Sequence, residues 1–455
     1  MYLVEDPLFF GHREKQLHFN KLKLIYHRAT MQHFYHQMIQ HRFKIHYISL
    51  DDFDTWTRPT DMISYYPADR LLQSRWPTLT YIDTPYFLLT SKQIDDYATL
   101  HGSKSHYSHR EFYHYVKQTL NILPNIKSQD TLNRQPLPAD YVPPALPSYN
   151  SELTEIVQEA IEYIGQRFPH NPGPKDPQQI VSALNCFPIT WQESRRALRI
   201  FIRQRFALFG AYEDAMSTKS HAVHHSVLST PINVGLLPPT IVLRQIMTAT
   251  APIQSREGFV RQLIGWREYS RMLYELAYDK IKQSNCFQHR RRLMSHWYRG
   301  TTGIDPLDVT IQKAFNTGYL HHIERLMIVA NLMNLCEIHP DDVYRWFMEF
   351  ACDSYDWVMV NNVYSMGLWA DKGLTMRKPY ISSPAYILRM SDFSEGRWTE
   401  QWKALYYTFL TNNREQIKGT PLIYNIGYWR KLPVSEQIRL TKLANRVRLK
   451  IGGKQ

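Results

Sequence analysis

Apolar residues recur along this chain with two different spacings. Residues 1–4 and 43–48 alternate as short strands do, and 79–82 and 87–89 read as further strands. A helical rhythm runs through 22–40, and 108–123 predicts another helix. From residue 151 onward the helical spacing takes over. It covers 151–168, 191–209, 258–281, 309–335 and 340–355, with apolar positions repeating about every 3.6 residues. Between these parts lies a stretch rich in breakers, with prolines at 124, 136, 138, 143, 144 and 147. The pattern therefore predicts an α/β unit over 1–115, a linker over 116–150 and an all-helical domain over 151–455. No internal repeat is present.

Composition narrows the function. Of 455 residues 44% are hydrophobic and 13% aromatic, enough for a large core. Glycine is sparse, and neither GxGxxG nor GxxxxGK[ST] occurs, which argues against a dinucleotide Rossmann enzyme and a P-loop NTPase. The formal charge of +13 points to an anionic partner such as nucleic acid. The cysteines at 186, 286, 336 and 352 form no CxxC pair, so neither a disulfide framework nor a zinc site is predicted. Histidines 33, 36 and 41 lack acidic or thiol partners nearby, and no metal site is expected of them. A reducing intracellular setting follows, cytoplasmic or nucleoid-associated, for a monomer with no membrane span.

Four segments carry unusual chemistry. His224 to Leu237 packs hydroxyls and an amide into a turn before a helix, which suits a phosphate or an ordinary helix cap. Glu257 to Tyr269 places Arg261, Trp266 and Glu268 on more than one helix face, as beside a polar cavity. Arg325 begins a strongly apolar helix and needs a counter-charge, for which Asp353 and Asp356 are the nearest acids. His321 and His322, one turn away, are either satisfied core groups or a proton-handling site. Asn361 to Tyr380 is polar and loop-forming, as site-lining segments often are.

The runs EGFVRQLIGWREY, LHHIERLM, SMGLWADKG with KPYISS, and RMSDF resemble the prokaryotic photolyases that carry an iron–sulfur cluster, a family including bacterial (6-4) photolyases and related cryptochromes. FNKLKLIYHRATMQHF and the linker run SQDTLNRQPLP are similar to it as well, so the likeness spans most of the chain. It implies a photolyase-like first domain with a Rossmann-like parallel sheet and a large all-α domain binding FAD. It also implies light-driven repair of UV-damaged DNA by electron transfer from reduced FAD.

The resemblance assigns His225, Ser226, Ser229 and Asn233 to the cofactor, with the 226–233 turn at the diphosphate. Glu257, Arg261, Gln262, Arg267 and Glu268 would surround it, together with Asp356 and Asn362. Arg325 and Asp353 would lie against the isoalloxazine, and Met359 would face its N5. His322, with His321 beside it, would face the lesion, and Tyr380 would line the same pocket. Trp297, Trp346 and Tyr355 would carry electrons to the flavin, with Phe347 in place of a usual tyrosine. Basic residues at 290–292, 372, 377, 378, 439, 442, 446, 448 and 450 would meet DNA.

Three departures stand out. Pro306, Ser394, Arg397 and a residue near Glu400 occupy the places of the four cluster cysteines, so no iron–sulfur cluster is expected. Methionine at 359 is a poor hydrogen-bond partner where the family usually has Glu. The chain also starts near the family's second strand, which leaves open whether an antenna chromophore of ribityllumazine type binds. Three functions remain compatible: a (6-4) photolyase, a cyclobutane-dimer photolyase and a cryptochrome-like light sensor.

Overall fold

The computed structural model describes residues 1–102, 106–149 and 154–453. Its strands are short and confined to the first 82 residues. β1 (Tyr2–Val4) pairs in parallel with β2 (His46–Ile48), and β3 (Ile63–Tyr65) with β4 (Thr80–Ile82), as two separate two-stranded sheets among the described residues. The strand expected at 87–89 is absent. The backbone N–H groups of Leu88 and Leu89 instead donate to the buried carboxylate of Glu268, at 3.1 and 3.2 Å, and so cannot serve a sheet ladder.

The Lys21–Gln40 helix joins the two parts. Its first ten residues are all buried, including Lys21, Lys23 and Arg28. Such a helix is stable only if each charge finds a partner. Lys23 donates to the carbonyls of Met348 and Ser354, at 3.0 and 2.6 Å, both in the helical part. Arg28 pairs with Glu5 at 2.9 Å and with Glu159 at 2.6 Å. Asn20 caps the helix through the N–H of Leu22 and donates onward to Phe315 O. The helix is thus driven into the all-α part rather than lying beside it.

The rest is helical, with no helix among the described residues long and apolar enough to cross a membrane. The helix expected over 151–168 runs Glu155–Arg167, and 151–153 lie outside the described residues. The single helix expected over 309–335 is two. Asp305–Thr317 ends at Gly318, whose φ is 65° and whose added Cβ would stand 2.6 Å from Cys352 Sγ, so only glycine fits there. A new helix then begins after His321. The helix over 340–355 stops at Phe350, where Ala351 turns extended and frees 351–355 to line the site.

Among the described residues three segments are wound as π-helix: Arg261–Arg267, Glu324–Ala330 and Asn361–Gly367. Wide turns of this kind concentrate at functional sites because they displace side chains from the regular helical spacing. Each of these contains a residue assigned to the cofactor.

Candidate functional site

Asp353 is the centre of the first cluster. Arg325 Nη2 lies 2.9 and 3.0 Å from its two carboxylate oxygens, Ser229 Oγ donates to it at 2.7 Å, and Asn233 Nδ2 donates to its backbone carbonyl at 3.0 Å. Arg325 Nε is fixed on Leu320 O at 2.6 Å, and its guanidinium lies over the rings of Phe350 and Tyr319. Ser229 and Asn233 of one short helix, Arg325 and Asp353 come from three separate stretches of sequence and meet in this cluster. Asp356, the other acid near Arg325, belongs elsewhere. It accepts from Tyr274 at 2.5 Å and from Tyr344, and faces Arg13 at 3.7 Å, while Arg13 itself pairs with Asp69 at 2.8 Å.

The second cluster is three histidines, 225, 321 and 322. They are the group among the described residues whose possible metal-donor atoms lie within 4.8 Å of one another. Hydrogen bonding explains their arrangement. His225 Nδ1 is 2.9 Å from Ala222 O, and a carbonyl only accepts, so Nδ1 carries the proton and Nε2 is bare. That bare nitrogen is 3.2 Å from His322 Nδ1, which must donate. In the neutral ring, His322 Nε2 is then left as a free acceptor, 3.9 Å from Asp214. His321 is fully buried, stacks on His225 at 4.6 Å, and its Nε2 lies 3.4 Å from Glu324 Oε2 without hydrogen-bond geometry. Burial, with His225 and Arg325 close by, holds both 321 and 322 well below the ordinary histidine range. The His322 side chain is nevertheless 44% exposed.

A third cluster lies below. Arg261 is 3.0 Å from Asp130, 3.4 Å from Glu257 and 3.6 Å from Glu213. Glu257 also accepts from Tyr113 and from the N–H of Gln129, and Glu213 from Asn133 and Gln262. Burial pushes Glu213 up to about 7 and Asp214 up to about 6. Burial raises the Tyr380 pKa, with Asp130 and Asp214 adding to it and Arg134 and Arg261 opposing.

Arg267 is apart, clamped over Phe87 at 4.4 Å and Trp357 at 5.0 Å. Its side chain is 11% exposed, all three guanidinium nitrogens lack a hydrogen-bond partner, and burial pulls it down to about 10. Glu268 Oε1 lies 3.6 Å from Nη1, an ion-pair contact beyond hydrogen-bond length, which leaves the N–H donors open to a further anion. Tyr86 links it to the 226–237 turn, since the phenol lies 2.9 Å from a Cβ placed on Gly235. Ser226 Oγ accepts from Leu228 N in that turn, and the buried Thr230 hydroxyl stands against the phenol of Tyr26. Hydroxyls and a guanidinium with unfilled N–H donors fit a diphosphate, and the Arg325–Asp353 pair offers donors and an acceptor to the polar edge of a heterocycle. The donor set therefore fits FAD. Glu268, by contrast, is committed to Leu88 and Leu89.

Met359 is buried, 4% exposed, one turn beyond Tyr355, and Asn362 Nδ2 is turned onto Val358 O. Trp346 Nε1 donates to Trp297 O at 2.8 Å, and its ring is 4.6 Å from Phe350, which underlies Arg325. Of the basic residues, Arg291 and Arg448 are buried, with Arg291 on Gly453 O and Arg448 on Leu335 O, so phosphate cannot reach them. Arg439 is engaged by Glu400 and Glu436, whereas Arg290, Lys372, Arg377 and Lys378 are exposed. Asp130 and Asn133, within the run SQDTLNRQPLP, join Arg261, as do Glu213 and Asp214, which carried no motif.

Burial lowers five histidines strongly: His27 and His109 to about 3, His224, His225 and His289 to about 4. A lowered folded-state pKa means the unfolded chain takes up protons first as pH falls below about 6.5. The stability these rings contribute is present above that pH and lost towards pH 4. Glu213 and Asp214 act in the opposite sense, together with Glu5, Asp69, Glu268, Glu275, Glu324, Glu349 and Asp371, all raised by burial. The rings themselves are therefore the readout: in nitrogen-15 spectra each of the five is expected to stay neutral from about pH 7 down to about pH 4.5. A ring that takes up its proton near the ordinary histidine value would not be buried neutral.

Residues 1–179 match the family described as deoxyribodipyrimidine photo-lyase-related protein, and residues 250–404 match the FAD binding domain of DNA photolyase. A (6-4) photolyase of Agrobacterium fabrum is 30% identical over 96% of this chain and 90% of its own length. An uncharacterized protein of Acanthamoeba polyphaga mimivirus is 51% identical over 27% of this chain and its own full length. Among solved structures, a bacterial class III photolyase from Agrobacterium tumefaciens superposes with a TM-score of 0.55 at 13% identity, over 98% of this chain and 91% of that one. A Synechocystis cryptochrome does so with a TM-score of 0.56 at 13% identity, over 99% and 92%. With a helical domain whose buried donors suit FAD and a relative at this identity along nearly its whole length, the chain belongs to the photolyase-related family.

Proposed function

We propose that the protein is a light-driven DNA photolyase that reverts (6-4) photoproducts. The observation that carries this is the directed chain from Ala222 O through His225 to His322, which leaves His322 Nε2 as a free proton acceptor with Asp214 behind it. Reversal of a (6-4) adduct must move a proton as well as an electron, whereas splitting a cyclobutane ring needs no such group. FAD, reduced and excited by light, supplies one electron and takes it back.

The chain's own residues do the rest. The Ser226–Asn233 turn and Arg267 would hold the diphosphate, with Arg261, Gln262 and Glu257 around the cofactor. Arg325 would offset negative charge beside the flavin, with Asp353 fixing its orientation. His322 would take a proton at Nε2 from the Asp214 side and pass it to the flipped-out lesion, and Tyr380 would close the rim. Lys372, Arg377 and Lys378, exposed just before Tyr380, would meet DNA phosphates.

We also propose that no iron–sulfur cluster is held. Pro306 opens the 305–317 helix, Ser394 O accepts from Trp398 Nε1 at 3.0 Å, and Glu400 pairs with Arg439. Buried Trp398 and Trp402, 5.8 Å apart, fill the space between. A light-sensing role without repair is the second reading. Met359 favours it, because a buried thioether supplies neither a proton nor a strong acceptor. Defined duplexes bearing one (6-4) adduct or one cyclobutane dimer decide between them. Light-dependent loss of the (6-4) adduct alone is expected. Repair of the cyclobutane dimer alone, or of neither, would overturn the assignment.

A further inference from the structure

The second residue after Asp353 is Tyr355, which precedes the Asp356–Val360 helix that carries Met359. Its hydroxyl lies 2.7 Å from Nε2 of His27, a residue of the buried Lys21–Gln40 helix. On the other side of that imidazole, Nδ1 is 3.2 Å from Phe9 O. The carbonyl can only accept, so Nδ1 bears the proton and Nε2 is bare. The phenol of Tyr355 must therefore donate to His27. The contact has a direction, with a proton on oxygen held against an empty nitrogen lone pair. Its surroundings are closed. Phe9 packs edge-on to both rings, at 6.2 Å from His27 and 6.3 Å from Tyr355, and Lys23 Nζ is 5.6 Å from the phenol ring. Tyr86, Tyr26, Cys352 and Asp353 complete the shell of ionisable groups around Tyr355.

We infer that Tyr355 and His27 form a proton-coupled redox pair serving the flavin site. Bound FAD, excited by light in its oxidised form, would supply the one-electron oxidant, and Tyr355 would give up that electron. In the same event the phenolic O–H bond breaks, and the proton forms an N–H bond at Nε2 of His27. The products are a neutral tyrosyl radical and an imidazolium, and the flavin has gained one electron. When an electron returns to the tyrosyl oxygen, the proton returns from Nε2. Without the imidazole, removing an electron would leave a cation on a buried ring near Lys23, which is costly. Burial supports the reversibility. It holds the Tyr355 phenol well above its usual range, so the proton does not leave by itself, and it draws His27 down to about 3, so the imidazolium gives the proton back. His27 is a positioning and proton-holding residue, acting only through Tyr355.

This inference rests on the flavin assignment above. Two measurements test it. In the FAD-loaded protein under blue light, low-temperature electron paramagnetic resonance should show a neutral tyrosyl signal. Tyr355→Phe should abolish it, and His27→Gln, which still accepts the hydrogen bond but cannot hold the proton, should abolish it too. Nitrogen-15 spectra of the unloaded protein should show His27 protonated at Nδ1 and bare at Nε2, and this arm needs neither a variant nor the cofactor. An unchanged tyrosyl signal in His27→Gln, photoreduction without any tyrosyl signal, or the opposite tautomer would overturn the pair alone. A chain that takes up no FAD would overturn the flavin reading and, with it, this step.

Discussion

Asp353→Ala is expected to yield a chain that purifies without FAD and is about 3–5 kcal/mol less stable than the parent, the usual effect of removing one partner of a buried ion pair. The reason lies in what the carboxylate does. It holds Arg325 by two contacts and receives the Ser229 hydroxyl. Without it the guanidinium stands nearly buried and uncompensated over Phe350, and the 229–233 turn loses its tie to the site. Asp353→Asn separates the effects. The amide can still accept from Arg325 and Ser229, so most of the stability should return, while cofactor affinity stays reduced because the paired charge is gone. Urea midpoints and the flavin-to-protein absorbance ratio read the two quantities independently. Full FAD occupancy at parental affinity in Asp353→Ala would remove this pair from the cofactor site.

His322→Ala is expected to lower light-driven repair of (6-4) adducts by about 10²- to 10⁴-fold, the range for losing a positioned acid–base group. FAD content and the urea midpoint should barely move, because the side chain is 44% exposed and its hydrogen bond is to His225. His225→Ala should cost less. It removes the acceptor that fixes the His322 tautomer but leaves the reacting ring in place. Repair rates for (6-4) duplexes, with cofactor content measured on the same samples, provide the comparison. Activity within a few-fold of the parent in His322→Ala would mean that proton delivery comes from elsewhere.

Much of this was legible in the sequence, and the rest failed for identifiable reasons. Helical spacing located most helices of the second half, but it could not see that Gly318 sits against Cys352, and so merged two helices. The apolar run at 87–89 looks like a strand until Glu268, about 180 residues away, claims its N–H groups. Arg325 clearly needed an acid, yet nothing local separates Asp353 from Asp356. Only the fold shows that Arg13 and two tyrosines occupy the latter. Asp130 and Asn133 lie in what composition marks as linker. They matter because Arg261 and Glu213 come to meet them, and no spacing rule records a meeting across so many residues.

The wide turn at Arg261–Arg267 lies within an unbroken rod from Ile253 to Lys282. Ahead of the end of that turn, Glu257, Arg261 and Gln262 serve the cluster around Glu213 and Asp130. After it, Glu268, Arg271 and Tyr274 grip Leu88, Leu89, Ser91 and Arg70 of the first part of the chain. The turn changes the angular phase of the rod, so one helix addresses two clients that lie in different directions. It works like the offset throw of a crankshaft. Deleting a single residue from 261–267 would restore an even winding and rotate one client's side chains out of reach, even though every one of those side chains remained in the sequence.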